Sequence, residues 1–155
     1  MNAGAGIAAA VPVLRILDES AARDFYLAGL GFALDWEHRF APDMPLYAQV
    51  SRAGCLLHLS AHAGDASPGG SCFIPVADAA ALHAEWQGRG LPGGGLVLEQ
   101  LPWGRQVTVL DPFANRLRFC QQTLSPGQAW TFTAGLPGRV QATGPWREIA
   151  PYQGR

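Results

Sequence analysis

A fourteen-residue segment that returns sixty positions later constrains this chain more than any other feature of it. VLRILDESAARDFY, from Val13 to Tyr26, is echoed by FIPVADAAALHAEW, from Phe73 to Trp86. Each copy reads as a mostly apolar strand ending at an aspartate, Asp18 or Asp78, whose carboxylate is suited to accept from the free N–H groups of a following helix. Ala22, Phe25, Tyr26 and Gly29 fall at i, i+3, i+4 and i+7, which predicts a helix with one apolar face small enough to lie on a sheet. Leu82 and Trp86 give the second helix its corresponding stripe.

After each helix the pattern turns to short strands. Phe32 to His38, Leu46 to Ser51 and Gly54 to Ser60 are separated by turn formers such as Pro42, Asp43, Pro45 and Gly54; Leu96 to Leu101, Arg105 to Leu110 and Arg116 to Gln121 follow the second helix, and DPFAN, Asp111 to Asn115, has the residues of a tight hairpin turn. Each half is therefore βαβββ. One such sheet with one helix cannot bury all its apolar surface, so two should pair and leave a cleft where ligands sit. The fold class is α+β: two paired βαβββ modules at about 11–60 and 71–121, forming a domain over 1–122, and an irregular C-terminal extension over 123–155. The extension holds Pro126, Gly127, Gly135, Pro137 and Gly138 with no sustained apolar period. Its large aromatics, Trp130, Phe132, Trp146 and Tyr152, suit packing against the body or a partner chain, the alternative being a disordered tail.

Composition removes several classes of function. With 11 Lys and Arg against 12 Asp and Glu, a net charge of −1 provides no field to gather nucleic acid or an anionic membrane. Cys55, Cys72 and Cys120 lie far apart without a CxxC pair, which argues against a disulfide framework or structural zinc and fits a reducing cytoplasm. The opening residues, Met1 to Ala10, lack a basic leader region, and no apolar run approaches the roughly 20 residues needed to cross a bilayer. No serine stands in a GxSxG turn and no cysteine has a histidine at a telling position; Gly93, Gly94 and Gly95 open no helix and read as a link rather than a phosphate loop.

Three strings carry a family resemblance: PVLRILDESAARDFYLAGLGF, the helix end HAEWQGRGL, and above all EQLPWGRQVTVLDPFANRLRF from Glu99 to Phe119. Over roughly residues 11 to 121 the chain resembles the glyoxalase and bleomycin-resistance (vicinal oxygen chelate) superfamily, most of all its bleomycin-resistance proteins. The resemblance implies a homodimer and two modules per chain, often exchanged between the subunits so that each binding crevice uses both; the sequence leaves open pairing within one chain or across two. In metal-dependent members four strand positions carry His, Gln or Glu. Here those positions fall near Val11 and Ser71 and on His58 and Arg118, of which only His58 is a good ligand. No metal, cofactor or catalytic residue is therefore expected. His58 and His62 are four apart, but a strand and its following loop do not place them on one face as a helix would. His38 and His83 read as surface residues.

A cleft without a metal must bind through aromatic faces and a few polar groups. Trp36 and His38 alternate on one strand and face the same side, with Phe40 just beyond; a strand tryptophan is as readily core as platform. Pro102 and Gly104 expose Trp103 at a bend that the resemblance puts by the crevice, and Arg105 and Arg118 supply donors for ligand carbonyl or anionic groups unless wall carboxylates take them. The expected ligand-binding set is Trp36, His38, Phe40, His58, Trp103, Arg105 and Arg118. The function implied is metal-independent sequestration of a bleomycin-like antibiotic or other bulky aromatic molecule by a cytoplasmic homodimer, as in antibiotic resistance. The alternatives are a lyase, isomerase or ring-cleaving dioxygenase of the same superfamily, and a non-drug binding or regulatory module.

Overall fold

The computed structural model describes residues 6–91 and 95–123, together with the backbone of two strands at Thr131–Ala134 and Val140–Thr143. In the first module β1 (Val13–Arg15) leads into α1 (Glu19–Arg23), then β2 (Ala33–His38), β3 (Tyr47–Arg52) and β4 (Cys55–Ser60). The second repeats the order with β5 (Ser71–Pro75), α2 (Ala79–Arg89), β6 (Leu96–Leu101), β7 (Gly104–Leu110) and β8 (Arg116–Gln122). The sheets have the matching orders β1-β4-β3-β2 and β5-β8-β7-β6, with the first strand parallel to the last and the other pairs antiparallel. These are the two βαβββ modules expected from the repeat.

Both aspartate caps form: Asp18 Oδ1 accepts from Ala21 N at 2.7 Å and Asp78 Oδ1 from Ala81 N at 3.0 Å. The first helix does not run to Gly29 as one α-helix. Its chain widens into a π-helical turn over Asp24–Gly29, which leaves the adjacent rings Phe25 and Tyr26 both buried, edge to face at 5.0 Å. The expected stripe of Ala22, Phe25, Tyr26 and Gly29 is buried throughout. α2 lies on β6, β7 and β8, and Trp86 sits in the core against Phe119.

The core joins the helix sides of both modules. Leu14, Tyr26, Val50 and Leu57 share it with Trp86, Val107, Leu117 and Phe119. Polar groups cross the same seam: Trp86 Nε1 donates to Leu30 O at 3.2 Å, and Arg52 pairs with Glu85 at 2.8 Å. The DPFAN turn contributes more than a reversal. Asp111, 3% exposed, accepts through Oδ1 from Phe113 N and Asn115 N, and through Oδ2 from Asn115 Nδ2 and from the hydroxyl of Tyr26 in the other module, both at 2.7 Å. Asn115 Nδ2 also donates to Arg15 O at 2.7 Å, while its Oδ1 accepts from Gly70 N. A buried carboxylate is tolerated only when so fully hydrogen-bonded.

In the extension, β9 (Thr131–Ala134) and β10 (Val140–Thr143) pair antiparallel, a short ribbon within a segment read from the sequence as irregular. The packing expected of Trp130, Phe132, Trp146 and Tyr152 lies outside the described residues. Among the described residues, no helix is long and apolar enough to cross a membrane.

Candidate ligand-binding site

Strand alternation gives each sheet a second side that no helix of the module covers. On β3, Tyr47, Gln49 and Ser51 alternate with buried Ala48 and Val50; on β4, Leu56 and His58 alternate with buried Leu57 and Leu59. A register shift between Leu34 and Trp36 turns Asp35 and Trp36 toward this open side. Trp36 stacks on Tyr47 at 6.0 Å with planes 13° apart, and His58 meets both rings edge-on at 5.3 Å. His38, Phe40 and His62 continue the aromatic surface, in contacts of 4.8 and 5.7 Å. Phe40 is 75% exposed. The resulting pocket, about 480 Å³, is lined by Trp36, His38, Phe40, Tyr47, His62 and Asp65.

Around His58 the polar atoms of this face pair with one another, while His62 Nε2, in the lining of the same pocket, is buried without a hydrogen-bond partner among the described residues. Gln49 Nε2 donates to Asp35 at 2.9 Å, so its Oε1, 3.0 Å from His58 Nε2, is the acceptor. His58 is thereby assigned as the Nε2–H tautomer, with Nδ1 accepting from the Tyr47 hydroxyl at 2.8 Å. Ser51 donates to the other oxygen of Asp35, and Ser60 to Asp65 at 2.6 Å. Burial, aided by the charge of Asp65, holds the Tyr47 hydroxyl above its ordinary pKa, so it stays a neutral donor.

The second sheet carries a different open face. The register aligns Val97, Thr108, Arg118 and Phe73 across it. Phe73 is 44% exposed and Trp103 36%. Trp103 Nε1 donates to Gln106 Oε1 at 3.4 Å, Gln106 Nε2 to Thr108 Oγ1 at 3.1 Å, and the Arg118 guanidinium to Ser71 Oγ. Trp103, Phe73, Gln106, Arg118 and Gln122 line an open pocket of about 310 Å³. The PWG bend is pinned from behind: a Cβ on Gly104 would stand 2.2 Å from Gln121 O, and its φ of +151° already favours glycine.

Of the residues singled out in the sequence, the structure gathers Trp36, His38, Phe40 and His58 on one open face and Trp103 and Arg118 on the other. Arg105 is not with them, because alternation puts it on the side of Val107 and Val109. Sequence reasoning missed Tyr47, Gln49 and Asp35 around His58, and Phe73 beside Arg118. The signal was present in the period of two at Tyr47, Gln49 and Ser51, a polar and aromatic row opposite an apolar one.

A family model described as "Glyoxalase superfamily protein" matches residues 3–125, and the chain belongs to that superfamily. Among solved structures, the bleomycin-binding protein of bleomycin-producing Streptomyces verticillus, in complex with copper(II)-bleomycin, is 29% identical, covers 76% of this chain and 98% of its own, and has a TM-score of 0.59. An antibiotic-binding protein from Streptomyces sp. CB03234 is 24% identical over 77% of this chain and 100% of its own, with a TM-score of 0.62. A bleomycin resistance determinant encoded on transposon Tn5 is 23% identical over 76% and 100%, with a TM-score of 0.61. The last two likenesses concern the fold. No curated protein matches the chain.

The residues at the positions of a family metal do not fit one. His58 spends both ring nitrogens on Tyr47 and Gln49, and Arg118 places a guanidinium where a cation would need a donor. Among the described residues, no three His, Cys, Asp or Glu side chains converge as ligands. Burial pushes the Cys72 thiol up to about 11, unsuited to a nucleophile at neutral pH.

Proposed function

We propose that this protein binds and sequesters a bulky aromatic small molecule, of which a bleomycin-like antibiotic is the leading candidate, without a metal and without transforming it. The observation that carries this reading is the aromatic floor of Trp36, Tyr47, His58 and Phe40, in which Tyr47 and His58 pair their polar atoms with each other and with Gln49 while Trp36 and Phe40 keep ring surface open to a guest. The copper(II)-bleomycin complex of the 29% identical relative supports the ligand class.

The second element of the reading is a homodimer. The helix sides of the modules meet at one core, and each open-face pocket draws on one module alone, so a second copy is what brings Trp36 and Phe40 of one chain opposite Trp103 of the other. A planar ligand held between rings from both sides loses more of its surface to contact than one lying on a single face. Calorimetric titration of metal-stripped protein with bleomycin, metal-free and copper-loaded, tests the reading. The expected result is binding in the micromolar range or tighter with about one drug per chain. Absence of a saturable signal for both forms removes bleomycin.

A further inference from the structure

We infer that Arg118 selects, among aromatic ligands, those that carry a planar two-oxygen anion such as a carboxylate. The inference rests on the open sheet faces being the ligand site and adds a polarity preference among aromatic guests; bleomycin, a cation without a carboxylate, reports on the aromatic site alone. Arg23, Arg39, Arg52 and Arg89 all have carboxylate partners. Among the described residues Arg15, Arg105, Arg116 and Arg118 have none, and of these four Arg118 is the one that lines the second open-face pocket. Its one side-chain partner among the described residues is Ser71 Oγ, reached from Nη1, which leaves the rest of a five-donor fork unengaged.

The surroundings turn that fork into a recognition element. Arg118 stands in register between Phe73 and Thr108, in a row that ends at Val97 and contains no acid. Phe73 and Trp103 wall the same pocket with exposed rings. A guanidinium beside apolar faces meets a carboxylate in a medium less screening than bulk water, where two parallel N–H···O bonds add geometry to charge. The first sheet offers the reverse: Asp65 lines its pocket, with no arginine or lysine among the lining residues. A ligand anion is therefore directed to the second sheet while its ring system spans the aromatic surfaces.

The test uses the full chain and three probes: 2-naphthoate, the isosteric neutral 2-naphthamide, and bleomycin, each followed by tryptophan fluorescence and calorimetry. The expected result is a preference for naphthoate over naphthamide of about tenfold or more, abolished in Arg118→Gln while naphthamide affinity is retained. Equal affinity for the two naphthyl probes, or a preference that survives in Arg118→Gln, overturns the inference and leaves the aromatic site standing. If none of the three probes binds, the aromatic site itself falls and the inference with it. Should Arg118→Gln not fold, Arg118→Lys keeps the charge and loses the fork. A reduced preference in that variant supports bidentate recognition, and an unchanged one overturns it.

Discussion

The two modules repeat each other on one side and differ on the other. On the helix side the sixty-residue echo holds in kind: Leu14 and Ile74, Ile16 and Val76, Ala22 and Leu82, Tyr26 and Trp86 all pack into or against the shared core. On the open side it does not. His58 faces Gln49 across the ladder and joins Tyr47; at the equivalent place Arg118 faces Thr108, with Gln106 alongside. The first face is a floor of rings in which Tyr47, His58 and Gln49 pair their polar atoms with one another. The second has fewer rings and an arginine with donors to spare. Packing constrains both helix sides alike, whereas the open sides carry unlike sets of side chains.

The largest effects should follow from damage to the shared side. Trp86→Ala is expected to cost about 4 kcal/mol by emptying a fully buried site, and Asp111→Ala about 3 kcal/mol by stranding Tyr26, Asn115 and two backbone N–H groups. Urea unfolding measures both; a loss under about 1 kcal/mol in either would separate the seam from stability. Open-face truncations should do the opposite. Trp36→Ala and Trp103→Ala should leave the unfolding midpoint nearly unchanged while weakening bleomycin binding by about tenfold or more, since ring stacking on a guest is worth roughly 1–3 kcal/mol. If both variants instead unfold early, these tryptophans belong to the core and the contrast between the sides disappears.

Finer effects depend on pH and surface charge. Burial holds the Tyr26 hydroxyl well above its ordinary value of 10.0, with Asp111 adding to the rise. The unfolded chain ionises first, so this group leaves stability intact below pH 10 and erodes it as pH climbs from there toward the folded-state value. Stability measured against pH should fall more steeply above about pH 10 in the native protein than in Tyr26→Phe. The smallest change is expected from Glu85→Gln, under about 1 kcal/mol, because the Arg52 pair is partly solvated. Arg52 lowers the Glu85 pKa, so the contribution is present above the ordinary carboxylate value and is lost as acid protonates Glu85.

The fold was largely legible because its signals are local: two aspartate caps, two apolar stripes and period-two strands. The π-helical turn was not, since an extra residue in a helix leaves no mark in the spacing of Ala22, Phe25, Tyr26 and Gly29. Half of the candidate site was also local. Trp36, His38 and Phe40 follow from alternation, and Trp103 from its Pro-Gly frame. What escaped was pairing across strands: Tyr47 beside His58, Phe73 beside Arg118, and Tyr26 on Asp111, separated by 85 positions. Arg105 misled because it was weighed as a donor and not by its parity, which sets it on the side of Val107 and Val109.

The claim that unlike faces from two copies complete one site is tested most directly by mixing variants. Trp36→Ala and Trp103→Ala chains are unfolded together, refolded and titrated with bleomycin. If each crevice uses the first sheet of one subunit and the second sheet of its partner, every mixed dimer regains one crevice with both tryptophans. Binding at native affinity then returns at a reduced number of sites. A mixture that binds no better than its two parents would contradict the account and place the whole site within a single chain.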